Sequence, residues 1–83
     1  MVPALPEARV VMVGRAGCHL CDEARAVIQR VVAETGDSFA EVDIDSHEDL
    51  ARYTDEVPVT FVDGRQHDYW RVDDGRLRSA LQG

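Results

Sequence analysis

Cysteine is scarce in this 83-residue chain: there are only two, Cys18 and Cys21. A single bridge across so short a loop removes little unfolded-state entropy, so a disulfide framework is excluded as the source of stability. Long apolar runs are also missing. None approaches the roughly 20 residues that a membrane span needs. The segment Met1-Val2-Pro3-Ala4-Leu5-Pro6-Glu7 has no basic stretch followed by a long apolar one, so no secretory signal is expected. Positive charge is in deficit, with 9 Lys and Arg against 16 Asp and Glu, a formal net charge of −7. Phosphate backbones repel such a surface, which argues against a nucleic-acid partner. No internal repeat, linker or low-complexity segment interrupts the chain. These absences point to one soluble domain over 1–83, its core at about 9–81, with no membrane partner. The expected location is the cytoplasm, where thiols are held reduced.

What remains is 45% apolar and patterned. Arg9 to Val13 is apolar on both faces, as a central strand of a covered sheet should be. From Cys18 to about Thr35 the apolar residues recur at helical spacing: Leu20, Ala24, Val27 and Val31, with Cys21, Ile28 and Val32 beside them. Gly36 is placed to end that helix. Phe39 to Ile44 alternates as a half-buried strand. Asp45 or Ser46 should cap a short helix to about Tyr53, with Asp45 and Glu48 at capping-box spacing. Val59 to Val62 and Arg65 to Trp70 flank Asp63-Gly64, a two-residue hairpin signal. Asp73 or Asp74 opens a last helix with Leu77, Ala80 and Leu81. The order β-α-β-α-β-β-α predicts an α/β fold, one four-stranded mixed sheet with Val10 to Val13 central and helices on both faces. Met12, Phe39, Phe61 and one of Tyr69 or Trp70 are expected in the core, and His47 and His67 on the surface.

The chemistry concentrates at Cys18-His19-Leu20-Cys21. Strand, short loop, then Cys-x-x-Cys on the first turn of a helix suits thiol–disulfide exchange. Exchange needs a thiolate. Cys18 stands where unpaired backbone N–H groups and the positive helix end favour the anion. Cys21 is one turn in, beside the apolar stripe, and should stay protonated longer. His19, when protonated, would steady the Cys18 thiolate; alternatively it is a solvated first-turn residue. Arg15 is either an anion contact or a solvated loop arginine. The same two cysteines leave a second reading open, an iron–sulfur or metal-binding module. A closed structural zinc site wants four ligands, and this chain offers Cys18, Cys21 and at most His19 nearby. No metal site is assigned.

The element order, Gly17-Cys18-His19-Leu20-Cys21, Val42-Asp43-Ile44-Asp45 and Val57-Pro58-Val59 together resemble the glutaredoxin branch of the thioredoxin fold, and a small bacterial subgroup within it. The resemblance spans about Arg9 to Leu81. It implies a thioredoxin-like, glutaredoxin-type fold and a thiol–disulfide oxidoreductase that reduces protein or mixed disulfides. Cys18 and Cys21 would be catalytic. The resemblance implies a cis bond before Pro58, close to the cysteines, and a substrate backbone lying along Val57. It implies that Arg15 meets the carboxylate of glutathione and that Asp73 or Asp74 takes its amino group. Glutathione is then a possible co-substrate, with no resident cofactor. The implied partners are disulfide-bearing proteins or small thiols and a reductase or thiol reductant, with the protein itself a monomer. The chain departs from the pattern at three places. His19-Leu20 replaces the common Pro-Tyr, Glu56 replaces a threonine, and Trp70-Arg71-Val72-Asp73 stands where a Gly-Gly turn holds glutathione.

Overall fold

A computed structural model describes residues 5–82. The segment Met1 to Glu7, read for a secretory signal, lies partly outside them. The first strand, β1, is Val10–Gly14, a Val-Val-Met-Val-Gly run buried at every position. Branched side chains at alternating directions suit a strand covered on both faces. Helix α1 follows at His19–Thr35 and ends at Gly36, whose φ of 77° is the left-handed turn that closes a helix. Strand β2 is Phe39–Asp43, β3 is Val59–Val62, β4 is Arg65–Tyr69, and helix α2 is Asp74–Gln82.

The sheet order is β2-β1-β3-β4. β1 runs parallel to β2 with Val10 opposite Phe39 and Gly14 opposite Asp43. It runs antiparallel to β3 with Val13 opposite Val59. The mixed four-stranded sheet with a central β1 is therefore as the sequence predicts. β3 turns into β4 through Asp63 and Gly64, with φ of 52° and 81°. That is the paired positive φ that a tight hairpin needs.

Alternation divides the core in two. Val10 and Met12 of β1 meet Cys21, Ala24, Ile28 and Val31 of α1 and Leu77 and Leu81 of α2. Val11 and Val13 point the other way, to Val42, Ile44, Leu50, Tyr53, Val59 and Phe61. Each fully buried Val, Ile, Leu, Met or Phe contributes roughly 1.5–3 kcal/mol.

Several expectations are corrected in detail. The short helix is not α-helical. It is two 3-10 segments, Ile44–Ser46 and Glu48–Tyr53. Neither Asp45 nor Ser46 caps it: Asp43 Oδ1 accepts the Asp45 amide at 3.0 Å, while Asp45's own carboxylate is drawn to Arg15. Neither Tyr69 nor Trp70 is core; they are 49% and 50% exposed. β4 is the sheet edge, and at Trp70 a φ of 63° carries the chain away from it. His67 is not a free surface residue either. Its side chain is 12% exposed and lies 3.6 Å from Asp68. A register shift between Thr60 and Phe61 gives β4 one extra residue there. The extra residue is His67, and the bulge interrupts the strand's alternation at that point.

All nine basic residues are arginines. Arg9 uses the planar fork most fully. It donates to Asp63 Oδ1 and Oδ2 at 2.9 and 3.0 Å, to Asp37 at 2.9 Å and to the Leu81 carbonyl at 3.1 Å. One side chain thus ties the hairpin, the α1–β2 loop and the end of α2 together.

Candidate dithiol site

The loop after β1 delivers the cysteines. Gly17 takes φ 75°, and Cys18 follows in extended conformation as the N-cap of α1. In that position its side chain can reach back to an unpaired amide of the first turn. Cys18 Sγ accepts the Cys21 N–H at 3.1 Å. Sulfur does here what a serine or aspartate oxygen does at most helix starts.

Both cysteines are free thiols, Cys18 half-buried and Cys21 buried. Cys21 is 1% exposed and packs under β1. Gly14 makes that possible. A Cβ there would lie 3.1 Å from Cys21 Sγ and 3.4 Å from Met12 Cε. A residue without a side chain lets the strand end pass this close without the sulfur having to give way. Burial pushes the Cys21 thiol up to about 11, and its hydrogen bond with Cys18 adds to the rise. The Arg15 backbone and the Arg25 charge pull the other way.

This raised value has a consequence for stability. The unfolded thiol titrates near its ordinary value of about 8.5. The folded pKa is higher, so the stabilising contribution is complete below about pH 8.5. It is lost as pH rises towards 11. We predict that the reduced protein weakens over that window more than a Cys21→Ala variant does. Urea midpoints of both proteins at a series of pH values check this; parallel curves would contradict it.

The other sequence-predicted residues take these places. Val57 is half-buried and Pro58 buried, and the peptide bond between them is cis. The Pro58 carbonyl accepts the Trp70 amide at 2.8 Å, which ties the segment to the end of β4. His19 is the exposed first residue of α1. Arg15 is engaged: it donates to Asp45 at 3.1 and 3.2 Å and to Thr54 Oγ1 at 2.9 Å. That pairing with Asp45 raises its pKa. Asp73 caps α2, its Oδ2 accepting the Arg76 amide at 2.8 Å. Among the described residues, no three His, Cys, Asp or Glu side chains are grouped to hold a metal ion.

Sequence reasoning missed Gly14, whose signal was a glycine ending an otherwise branched strand. It also missed the aromatic shelf. Tyr69 and Trp70 stack edge to face, ring centres 5.0 Å apart at 74°. Trp70 Nε1 donates to the Asp55 carbonyl at 3.0 Å, which fixes the indole. With Leu20, Val57 and Arg71 they line a cleft of about 300 Å³ beside the cysteine loop.

Comparison with known proteins agrees with this geometry. A family model described as a glutaredoxin-like domain matches residues 9–82. An uncharacterized protein of Mycobacterium tuberculosis is 32% identical over 79 residues, 88% of this chain and 81% of that one. A structural-genomics target protein from X. campestris, solved by X-ray, is 33% identical with a TM-score of 0.71, over 88% of this chain and 95% of that one. A glutaredoxin from Archaeoglobus fulgidus has a TM-score of 0.63 over 93% of this chain and 89% of its own. At 19% identity that is a likeness of fold.

Proposed function

The chain belongs to the glutaredoxin-like domain family, and from that premise we propose that it is a thiol–disulfide oxidoreductase acting through Cys18 and Cys21. One observation carries the reading. Cys18 Sγ sits at the start of α1 on the Cys21 amide, and the Cys21 side chain is buried in that same first turn. The outer thiolate attacks a substrate disulfide and forms a mixed disulfide. The inner sulfur then attacks Cys18, and the substrate leaves as a thiol. Disulfide-bearing proteins are the proposed substrates, and the protein is proposed to work as a monomer in the cytoplasm. To find the reductant, the oxidised protein is offered separately to glutathione and to a thioredoxin-reductase system. Reduction by either supports the reading; an oxidised form that neither reduces counts against it.

Glutathione is the weaker co-substrate on this reading. Arg15 is occupied by Asp45 and Thr54, Asp73 by its own helix, and Trp70 fills the turn where glycines would admit a ligand. We predict slower turnover of a small glutathionylated substrate than of a disulfide-bridged peptide, which can lie on Leu20, Val57 and Trp70. Steady-state rates on the two substrates decide it. Equal or faster turnover of the glutathionylated one would show that the engaged Arg15 and Asp73 are released for ligand.

A further inference from the structure

The resolving thiol poses a physical problem. Cys21 must become a thiolate to attack Cys18, yet it is buried, and burial disfavours the anion. Arg25 stands one turn further along α1, at the i,i+4 spacing that puts two side chains on the same face about 5–6 Å apart at Cβ. Its guanidinium is held from both sides. It donates to Asp22 Oδ1 at 2.8 Å and to Glu41 Oε2 at 3.0 Å, and its Nε donates to the other Glu41 oxygen. Glu41 belongs to β2 and lies opposite Met12, whose methyl reaches the Gly14–Cys21 contact. A cleft of about 340 Å³ opens here, lined by Gly14, Arg15, Arg25, Glu41 and Asp43 among others. Gly14 is the wall it shares with Cys21.

We propose that Arg25, clamped by Asp22 and Glu41, is a positioning cation for the resolving step, and that Glu41 governs how much of its charge Cys21 feels. This rests on the exchange chemistry proposed above. In that step the Cys21 thiol gives its proton to solvent and its sulfur attacks the Cys18 sulfur of the mixed disulfide. The Cys18–Cys21 bond forms as the bond to the substrate sulfur breaks. The substrate thiolate leaves with the electron pair and takes a proton from solvent.

The charges around Cys21 are few. On α1 they are Cys18, Asp22 and Arg25. From β2 come Glu41 and Asp43. The β1–α1 loop brings Arg15, already paired with Asp45. β1 contributes Met12 and Gly14, which carry none. α2 meets α1 further along, where Asp74 pairs with Arg78 and Arg30. Within this set the Arg25 charge acts to lower the Cys21 pKa.

The test reads Cys21 alone, in a Cys18→Ser background, as alkylation rate against pH. Arg25→Gln should raise the midpoint by a fraction of a pH unit, or roughly two- to threefold in rate at fixed pH below it. Arg25→Lys, which keeps the charge, should restore most of that rate. Glu41→Gln should shift the midpoint the opposite way and speed alkylation, because it removes the anion that neutralises Arg25. A merely structural ion pair predicts that Arg25→Gln and Glu41→Gln change the rate in the same direction. That result, or no shift from either, overturns the proposal. Should Arg25→Gln fail to fold, the direction of Glu41→Gln decides by itself. A wild-type protein without exchange activity would sink the oxidoreductase reading, while this measurement would still report on Arg25.

Discussion

Cys18→Ser is expected to reduce disulfide turnover to the uncatalysed background, and Cys21→Ser to stop it one step later. The two failures differ in kind. A serine hydroxyl at the N-cap can still accept the Cys21 amide, so the fold should survive the first change. What it cannot supply is a sulfur nucleophile. Cys21→Ser keeps the attacking sulfur but removes the resolving one. The mixed disulfide on Cys18 then has no internal thiol to release it, and it should accumulate. Intact-mass measurement after mixing each variant with a disulfide-bridged peptide separates the cases: no adduct for Cys18→Ser, a stoichiometric adduct for Cys21→Ser. An adduct on Cys21 in the Cys18→Ser protein that forms as fast as the wild-type reaction would reverse the roles.

Phe61→Ala should be the most damaging single change in the core. Phe61 is 2% exposed, and Tyr53 packs edge to face on it at 5.6 Å and 88°. It lies on β3 opposite Val11, under the cover that Leu50 and Tyr53 provide. That cover is 3-10 helix, with little local stability of its own. Removing the ring should cost about 3–5 kcal/mol. A domain of this size holds roughly 4–12 kcal/mol in total. The expected fall in Tm is about 12 °C or more. Thermal unfolding beside a Gln29→Ala surface control checks it. A loss within about 1 kcal/mol of the control would mean that the second face of the sheet contributes little.

The sheet and α1 were legible because each carries its signal locally. Val10 to Val13 reads as a covered strand, the stripe through Ala24, Ile28 and Val31 reads as a helix, and Asp63-Gly64 reads as a hairpin. The cysteine pair was legible for the same reason, since four consecutive residues fix it at a helix start. The failures are long-range. Asp45 has the spacing of a capping residue, but Arg15, 30 positions away, takes its carboxylate. Tyr69 and Trp70 look like core in composition, yet they stand at the exposed end of the edge strand and just beyond it. His67 was placed on the surface for its distance along the chain from the cysteines, which carries no sign of the bulge in β4 that leaves its side chain 12% exposed. Gly14 and the Arg25–Glu41 pair depend on which strand lies beside which, and only the assembled sheet brings them to Cys21.

A single-turnover experiment shows whether Cys18 and Cys21 work as one dithiol. Reduced wild-type protein is mixed with an equimolar disulfide-bridged peptide at neutral pH, quenched in acid and weighed intact. The expected products are a protein two hydrogens lighter, with Cys18 and Cys21 joined, and a peptide carrying both of its thiols. A protein that keeps two free thiols beside an unchanged peptide disulfide would contradict this.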